Sequence, residues 1–216
     1  LYDFLAYEAL EFYQAGEQGA VTAEDAFELD ADSPVLADAE AFLAWRPASA
    51  DSASSALKAV RLFQGLLAFH RNDPDRSAFL DADLARMEFA DNSAVGESKS
   101  ERYQAALRRF ADQSADHEVS SRALALLAAH LNRNGDPAAA RAVAQRGRDA
   151  FPSSFGAALC RNEIALIERK TTALETESVW NAPWPALRVT YRNVTQVHFR
   201  AVRIDFETHL RQARWE

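Results

Sequence analysis

The period of the apolar residues changes after Lys170, and this change constrains the fold more than any other feature of the sequence. Before it, apolar residues recur every three or four positions, as they do on the buried face of a helix. After it, Leu187, Val189 and Tyr191 alternate with polar residues, which is typical of a strand with one buried face. The sequence therefore predicts a mostly α chain, helical to about Lys170, that then enters a β domain.

The N-terminal part reads as an acidic helical segment, residues 1–46. A helix is predicted at residues 2–14, followed by a loop-like stretch to Asp32. Ser33 offers an N-cap oxygen and Pro34 suits the first helical position, so a helix to about Trp45 is expected. The small, polar residues that follow, 46–55, are the best candidate for a linker.

Residues 47–170 predict three helix pairs with a period of about 40 residues, the signature of stacked helix hairpins. A capping box of Ser98 and Glu101 is predicted to open the second pair, and Gly135 to end its second helix in a left-handed conformation. If Pro152 is the terminal proline of a tetratricopeptide unit, seven residues fall on the core positions of that repeat: Leu124, Leu127, Ala128, Leu131, Ala140, Ala144 and Gly147. The other pairs match poorly, so the region is interpreted as a tetratricopeptide-like array.

Residues 171–216 are expected to be the truncated start of a β-sandwich domain. Besides the strand at Leu187, strands are predicted at residues 174–180 and 197–201, with a β-bulge near 202–204 and a closing helix at 206–215. Two or three strands cannot bury both faces of a sandwich, so we expect the domain to continue past Glu216. We also expect the free strand edge to pair with another copy or to lie under the closing helix.

Charge and hydropathy exclude some partners. Residues 1–55 hold twelve acidic residues and a single base, Arg46, and no concentrated basic face is evident elsewhere, which argues against nucleic-acid binding. The acidic stretch is interpreted as a solvated surface. No apolar run approaches the roughly 20 residues that span a bilayer, so membrane insertion is not expected.

The histidines give no support for a metal site. None of the five lies within three or four residues of another, and no His-Glu-x-x-His arrangement occurs. His70 and His130 fall near predicted helix ends, where a cation can interact with terminal carbonyls. They are therefore interpreted as structural.

No catalytic, cofactor-binding or metal-binding residue is assigned, and the chain is not expected to be an enzyme or to need a cofactor. Cys160 lies on an apolar stripe and is predicted to be a buried small hydrophobe. The acid pairs Asp81 and Asp83, and Glu175 and Glu177, are interpreted as solvated surface. No nucleophile elbow, phosphate loop or dinucleotide fingerprint is present.

Two short features near the change of period carry weaker hypotheses. Trp180 and Trp184 could seal the junction between helices and strands or belong to a partner-binding patch, and we favour the seal. Residues 193–195 (Asn-Val-Thr) fit an N-glycosylation sequon, which has a specific meaning only in a eukaryotic secretory context.

Several stretches together resemble the N-terminal portion of bacterial α2-macroglobulin family proteins. They are residues 1–5 (LYDFL), residues 151–157 (FPSSFGA) with Cys160, residues 167–170 (IERK), and the pair 191–194 (YRNV) and 197–200 (VHFR). The resemblance implies a helical region ahead of macroglobulin-type β-sandwich domains, in a periplasmic or secreted protein that traps proteases. The family's Cys-x-Glu-Gln thioester is not carried over, since Arg161, Asn162 and Glu163 follow Cys160.

The resemblance makes the first hypothesis a non-catalytic scaffold or interaction segment of such a protease-trapping protein. Its partners would be the rest of the parent chain, proteases or envelope proteins, with self-association through the exposed β edge. The alternative is a stand-alone helical-repeat adaptor that binds a protein or peptide partner on its concave face. An enzyme is the third and least supported hypothesis.

Overall fold

The computed structural model describes residues 1–15, 26–176 and 186–200, and the chain divides into two compact units, residues 1–167 and 168–216. The described residues are mostly helical, with one small antiparallel sheet. The elements are α1 Tyr2–Gln14, a 3-10 helix Pro34–Leu36, α2 Ala39–Ala44, α3 Ser55–His70, α4 Ser77–Ser93, α5 Lys99–Gln113, α6 Val119–Arg133, α7 Pro137–Ala150, α8 Phe155–Glu168, β1 Thr171–Thr176 and β2 Leu187–Arg192.

All six helices of the three predicted pairs are present: α3 and α4, α5 and α6, and α7 and α8. The helices pack in sequence order from α3 to α7, and α4 also contacts α6 directly. The second helices of the first two pairs therefore lie side by side. The N-terminal helix α1 packs against α3 at one end of the array. The acidic segment and the helix pairs thus share one compact unit.

Capping side chains determine where several of these helices begin. Ser54 Oγ accepts a hydrogen bond from the amide of Leu57 at 3.2 Å and starts α3. The Asp136 carboxylate accepts from the amide of Ala139 at 2.9 Å and starts α7. Between α6 and α7, Gly135 adopts φ 88°, which confirms the predicted left-handed turn.

The core follows the predicted apolar faces. Phe63 of α3 and Phe89 of α4 lie with ring centroids 5.5 Å apart, and Leu84 and Met87 are buried beside them. A second, smaller cluster joins α6, α7 and α8 through five residues: Ala125, Ala128, Ala144, Cys160 and Ile164.

Small residues bring α8 into backbone contact with its neighbours. A Cβ atom at Gly147 would lie 2.6 Å from Cys160 Sγ, and one at Gly156 would lie 2.6 Å from the carbonyl carbon of Ser121. These distances are shorter than side chains tolerate, so the packing of α6, α7 and α8 requires glycine at both positions.

A buried ion pair anchors the segment around the 3-10 helix. Arg86 is fully buried on α4, with its Nη2 at 2.5 Å from Oδ1 of Asp83, which is 6% exposed. The same guanidinium donates to the carbonyls of Val35 at 2.5 Å and Ala37 at 3.1 Å, and lies 4.6 Å from the ring centroid of Phe42. One arginine thus holds the 3-10 helix, the turn after it and α2.

The single helix predicted from Pro34 to about Trp45 is wrong, because residues 37 and 38 are extended and divide it in two. Asp38 accepts from the amide of Ala41 at 2.9 Å and starts α2 afresh. Arginines from α4 and α5 already occupy the carbonyls of residues 35–37, including that of Leu36, which accepts from Arg109 at 2.8 Å. Those carbonyls are therefore satisfied without a continuous helix.

The predicted capping box at Ser98 and Glu101 is also wrong. Ser98 has helical dihedrals and makes no capping bond, and its hydroxyl donates to Asp32 Oδ1 at 2.8 Å. Asp32 is also paired with Arg102 at 3.1 Å. The Ser98 hydroxyl acts as a donor to an ionised carboxylate and not as the acceptor that a cap requires, so it fixes the chain before the 3-10 helix.

In the second unit, β1 and β2 pair antiparallel, with Thr171 opposite Arg192 and Thr176 opposite Leu187. The strand predicted at Leu187 is confirmed, whereas β1 begins three residues before its predicted start. Both strands are exposed except at Val189, which is partly buried, so the expected buried face is not formed by the described residues.

The strand predicted at residues 197–201 is not found at residues 197–200, which belong to no strand in the described part of the chain. β2 ends at Arg192, and the next residue, Asn193, has φ 55° and donates from Nδ2 to the carbonyl of Arg169 at 3.1 Å. The bulge near 202–204, the closing helix at 206–215, and Trp180 and Trp184 lie outside the described residues.

Arg86→Met is expected to lower the free energy of unfolding by about 3–5 kcal/mol, because it leaves the Asp83 carboxylate buried without its partner. The carbonyls of Val35 and Ala37 lose their donor as well. Chemical denaturation monitored by circular dichroism measures the change. The control Arg133→Met removes a 66%-exposed arginine at 3.4 Å from Asp91 and should change stability by less than about 0.5 kcal/mol. Equal effects of the two substitutions would contradict the anchoring role of Arg86.

Gly156→Ala is expected to destabilise the chain by about 1–3 kcal/mol, since the added methyl group would press on the backbone of α6. Gly65→Ala is the matched control, because a Cβ there meets only the tip of the Tyr2 side chain, at 3.1 Å. That change should be neutral or stabilising by up to about 1 kcal/mol through helix propensity. Thermal denaturation compares the two, and a stabilising Gly156→Ala would refute the close contact.

Candidate functional site

Arg122, in the first turn of α6, joins three helices through charged and polar contacts. Its guanidinium pairs with Asp81, and with Glu88 at 3.2 Å, both on α4. The two acids are seven residues apart, or two helical turns, and so share one face of α4. Tyr7 of α1 donates from its hydroxyl to Asp81 Oδ2 at 3.1 Å. The Arg122 network therefore links α1, α4 and α6.

Two pockets lie on either side of this network. The first, here the α1 pocket, has a volume of about 620 Å³ and is lined by α1, α3, α4 and Arg122. The second, here the α8 pocket, has a volume of about 360 Å³ and lies where α4, α6 and α8 meet. At the α8 pocket, Phe155 is 71% exposed and opens the pocket to solvent.

The charges of the network are matched to one another. Burial raises the pKa of the Tyr7 hydroxyl, and the Asp81 carboxylate beside it raises it further, so the phenol stays neutral and acts as a donor. Burial alone would lower the pKa of Arg122, but Asp81 and Glu88 outweigh it and the net direction is upward. Tyr7 therefore stays a neutral donor and Arg122 a cation, and both hold their helices to α4.

Ser77 and His117 line the α8 pocket, and Asp75 is hydrogen-bonded to Ser77, in an order that does not activate the serine. The amide of Val119 donates to His117 Nδ1 at 3.2 Å, which places the ring proton on Nε2. That nitrogen lies 3.1 Å from Ser77 Oγ, and the serine hydroxyl donates to Asp75 at 2.6 Å. His117 therefore donates to the serine and cannot take its proton, unlike the base of a catalytic triad.

Local sequence patterns did not predict this trio, although the period of about 40 residues contains the signal. Ser77 opens α4, and His117 lies 40 residues later, just before α6. Ser154, at the start of α8, lines the same pocket. Stacked hairpins bring equivalent positions of successive pairs together, so a period of about 40 residues predicts such meetings.

His70 is held between two carboxylates, and the prediction that it interacts with terminal carbonyls is wrong. Its Nδ1 lies 2.7 Å from Asp73 and its Nε2 lies 2.8 Å from Asp3 of α1, while the residue is 6% exposed. The bond to Asp73, opposed by burial and reinforced by Asp3, raises the pKa of His70. The imidazolium thereby connects the start of α1 to the end of α3.

The same prediction is wrong for His130, for a different reason. Its Nε2 lies 3.0 Å from the Ser100 hydroxyl and 2.9 Å from the Asn134 amide, and its ring meets Tyr103 edge-on. Burial lowers the pKa of His130, which favours the neutral ring. His130 thus packs between α5 and α6 without acting as a cation.

The structure confirms one interpretation of the other candidate residues and overturns another. Cys160 is fully buried, its Sγ donates to the carbonyl of Ser121 at 3.4 Å, and burial raises its thiol pKa to about 11, as expected of a small hydrophobe. Asp81 and Asp83 are not simply solvated surface, because both are paired with arginines. Glu175 is exposed on β1, and Glu177 lies outside the described residues.

Over residues 1–15, 26–176 and 186–200, no three His, Cys, Asp or Glu side chains are grouped so that they could hold a metal ion. In the same part of the chain, no helix combines the length and apolarity needed to cross a membrane. Comparison with known proteins finds no match to a family model, to a curated protein or to a solved structure.

His70→Gln is expected to destabilise the chain by about 1 kcal/mol at pH 6, since two charge-assisted hydrogen bonds to half-exposed carboxylates are lost. The folded pKa is raised, so the stabilisation is fully present below about pH 6.5 and disappears as pH rises through the folded value. Denaturant titrations from pH 5 to pH 9 measure this.

His130→Gln is the matched control, because the folded pKa of His130 is lowered and its pH dependence has the opposite sign. The stability difference between wild type and this variant should grow as pH rises toward about 6.5, the ordinary histidine pKa, and stay constant above it. If the loss of stability caused by His70→Gln is the same at every pH, the charged contacts of His70 with Asp3 and Asp73 do not contribute as described.

Proposed function

We propose that the chain is a non-catalytic scaffold and interaction segment of an α2-macroglobulin-like protein that traps proteases in the bacterial cell envelope or outside the cell. The observation that carries the proposal is the order of elements: a helix-pair array that ends at Glu168, followed directly by the antiparallel hairpin of β1 and β2. This order agrees with the stretches of sequence that resemble the family.

The hairpin supports assignment to a β-sandwich because its apolar residues share one face. Leu174 is opposite Val189 in the register, and Leu187 and Tyr191 lie on the same side, two residues to either side of Val189. Leu174, Leu187 and Tyr191 are between 48% and 62% exposed. A macroglobulin-type sandwich would cover this face with a second sheet, as a sandwich core requires.

The helical unit supports the scaffold role and a tetratricopeptide-like description. Its helices make close contacts at Gly147, on the hairpin of α6 and α7 that matches the tetratricopeptide pattern, and at Gly156 of the next helix, α8. The Arg122 network and the orientation of His117 are structural in character, which favours a non-catalytic role. The family assignment itself is supported only by the sequence resemblance and the order of elements.

The adaptor alternative is favoured by one observation, the α8 pocket with its exposed Phe155. A phenylalanine that is 71% exposed beside a pocket of about 360 Å³ is the kind of feature that anchors a peptide side chain. In this reading the array acts by itself, and the β hairpin is dispensable for binding.

A substrate-size assay tests the protease-trapping proposal on the natural polypeptide that carries these residues. An endopeptidase enclosed by a trap keeps its active site but cannot meet large substrates. Hydrolysis of a folded protein substrate should therefore fall, while hydrolysis of a short chromogenic peptide should persist. Unchanged hydrolysis of both substrates, or equal loss of both, would refute trapping.

A paired substitution in the hairpin tests the sandwich assignment in the same polypeptide. Leu174→Lys should lower the thermal stability of the β region by burying an unpaired charge, whereas Thr190→Lys, on the opposite face, should have little effect. Three results together would support the adaptor function instead. Leu174→Lys would leave the thermal stability unchanged, and the polypeptide would not change hydrolysis by the endopeptidase. Phe155→Lys would weaken the binding of a defined protein partner at least about tenfold.

A further inference from the structure

We propose that the outer face of α1 is a docking site for a cationic amphipathic helix of a partner protein. The helix has apolar residues on two sides. Ala6 and Leu10 face the array and are buried, whereas Phe4 and Leu5 are 64% and 57% exposed on the other side. A helix that only closed the array would carry polar residues there.

The exposed apolar surface continues from α1 onto the end of α3. Phe69 is 60% exposed, and its ring centroid lies 4.8 Å from that of Tyr2, which is 42% exposed. We use the name α1 patch for four exposed apolar residues, Tyr2, Phe4 and Leu5 of α1 and Phe69 at the end of α3. Clustered aromatic and aliphatic side chains of this kind are enriched where proteins bind one another.

The charge around the α1 patch determines what can cover it. Exposed Glu8 and Glu11 follow one and two turns after Phe4, and α1 contains no lysine or arginine. The two bases that follow Phe69 in sequence are already paired, His70 with Asp3 and Asp73, and Arg71 with Glu40. A partner that buries the patch therefore gains if lysine or arginine residues flank its own apolar stripe.

The same charges disfavour two other occupants. A second copy of the chain would bring acidic residues against acidic residues, since residues 1–55 carry twelve acids and one base. An anionic lipid surface would be repelled for the same reason. The position of α1 at the end of a helix array favours another helix, because each helix of such an array is covered by the next.

A pair of labelled peptides tests the proposal with the 216-residue chain. Both form amphipathic helices with the same leucine stripe, and they differ only in flanking lysines or flanking glutamates. Fluorescence polarisation should show saturable binding of the lysine peptide, binding of the glutamate peptide weaker by at least about tenfold, and loss of the difference in high salt.

Substitutions on the chain locate the binding surface. The double variant Phe4→Lys and Leu5→Lys should abolish binding of the lysine peptide, while the control Leu166→Lys, at a 51%-exposed position on α8, should not. The double variant Glu8→Gln and Glu11→Gln should weaken the binding of the lysine peptide only. Because it keeps the apolar residues, it still tests the proposal if the lysine double variant unfolds. Circular dichroism checks the fold of each variant.

Several outcomes would overturn the proposal. The first two are equal binding of the two peptides and binding that neither set of variants changes. The third is self-association of the chain, measured by sedimentation, that Phe4→Lys and Leu5→Lys abolish. The fourth is binding of the chain to vesicles that contain phosphatidylglycerol. The test does not depend on protease trapping, because it involves only α1 and the end of α3. Failure of one proposal therefore leaves the other standing.

Discussion

The N-terminal third of the helical unit depends on one buried guanidinium. The charge of Arg86 is paired with Asp83, and its guanidinium also donates to the carbonyls of Val35 and Ala37. The ring of Phe42 packs over it. Without this anchor, the backbone carbonyls around the 3-10 helix would need other hydrogen-bond donors. A buried ion pair is a weak source of net stability, yet it specifies a single path for an otherwise irregular segment.

Sequence reasoning recovered the parts of the fold that depend on local pattern. The faces of α3 and α4, the turn at Gly135 and the strand at Leu187 all follow from residue spacing and backbone chemistry. It failed where a partner distant in the chain competes with a local one. Ser98 bonds to Asp32 instead of capping α5, and Arg86 binds carbonyls about fifty residues earlier, which no local pattern encodes.

The candidate site shows the same division. The burial of Cys160 was predictable from its apolar stripe, but the Arg122 network and the Ser77–His117 contact arise only when helices stack. Both occur on the side where the second helices of successive pairs lie together, so a repeat alignment at about 40 residues would have pointed to them. The ion pair of His70 with Asp3 forms only when α1 packs against α3, and no local sequence pattern indicates it.

The short connection after α8 has a mechanical meaning. Only Arg169 and Lys170 separate the end of α8 from the first residue of β1, so a pull on the hairpin reaches the helix with almost no slack. At its other end, α8 is seated on the backbone of α6 through Gly156, where there is no side chain to bend and absorb movement. A load that reaches α8 would therefore act on its packing against α6 and α7, whose close contacts depend on Gly156 and Gly147.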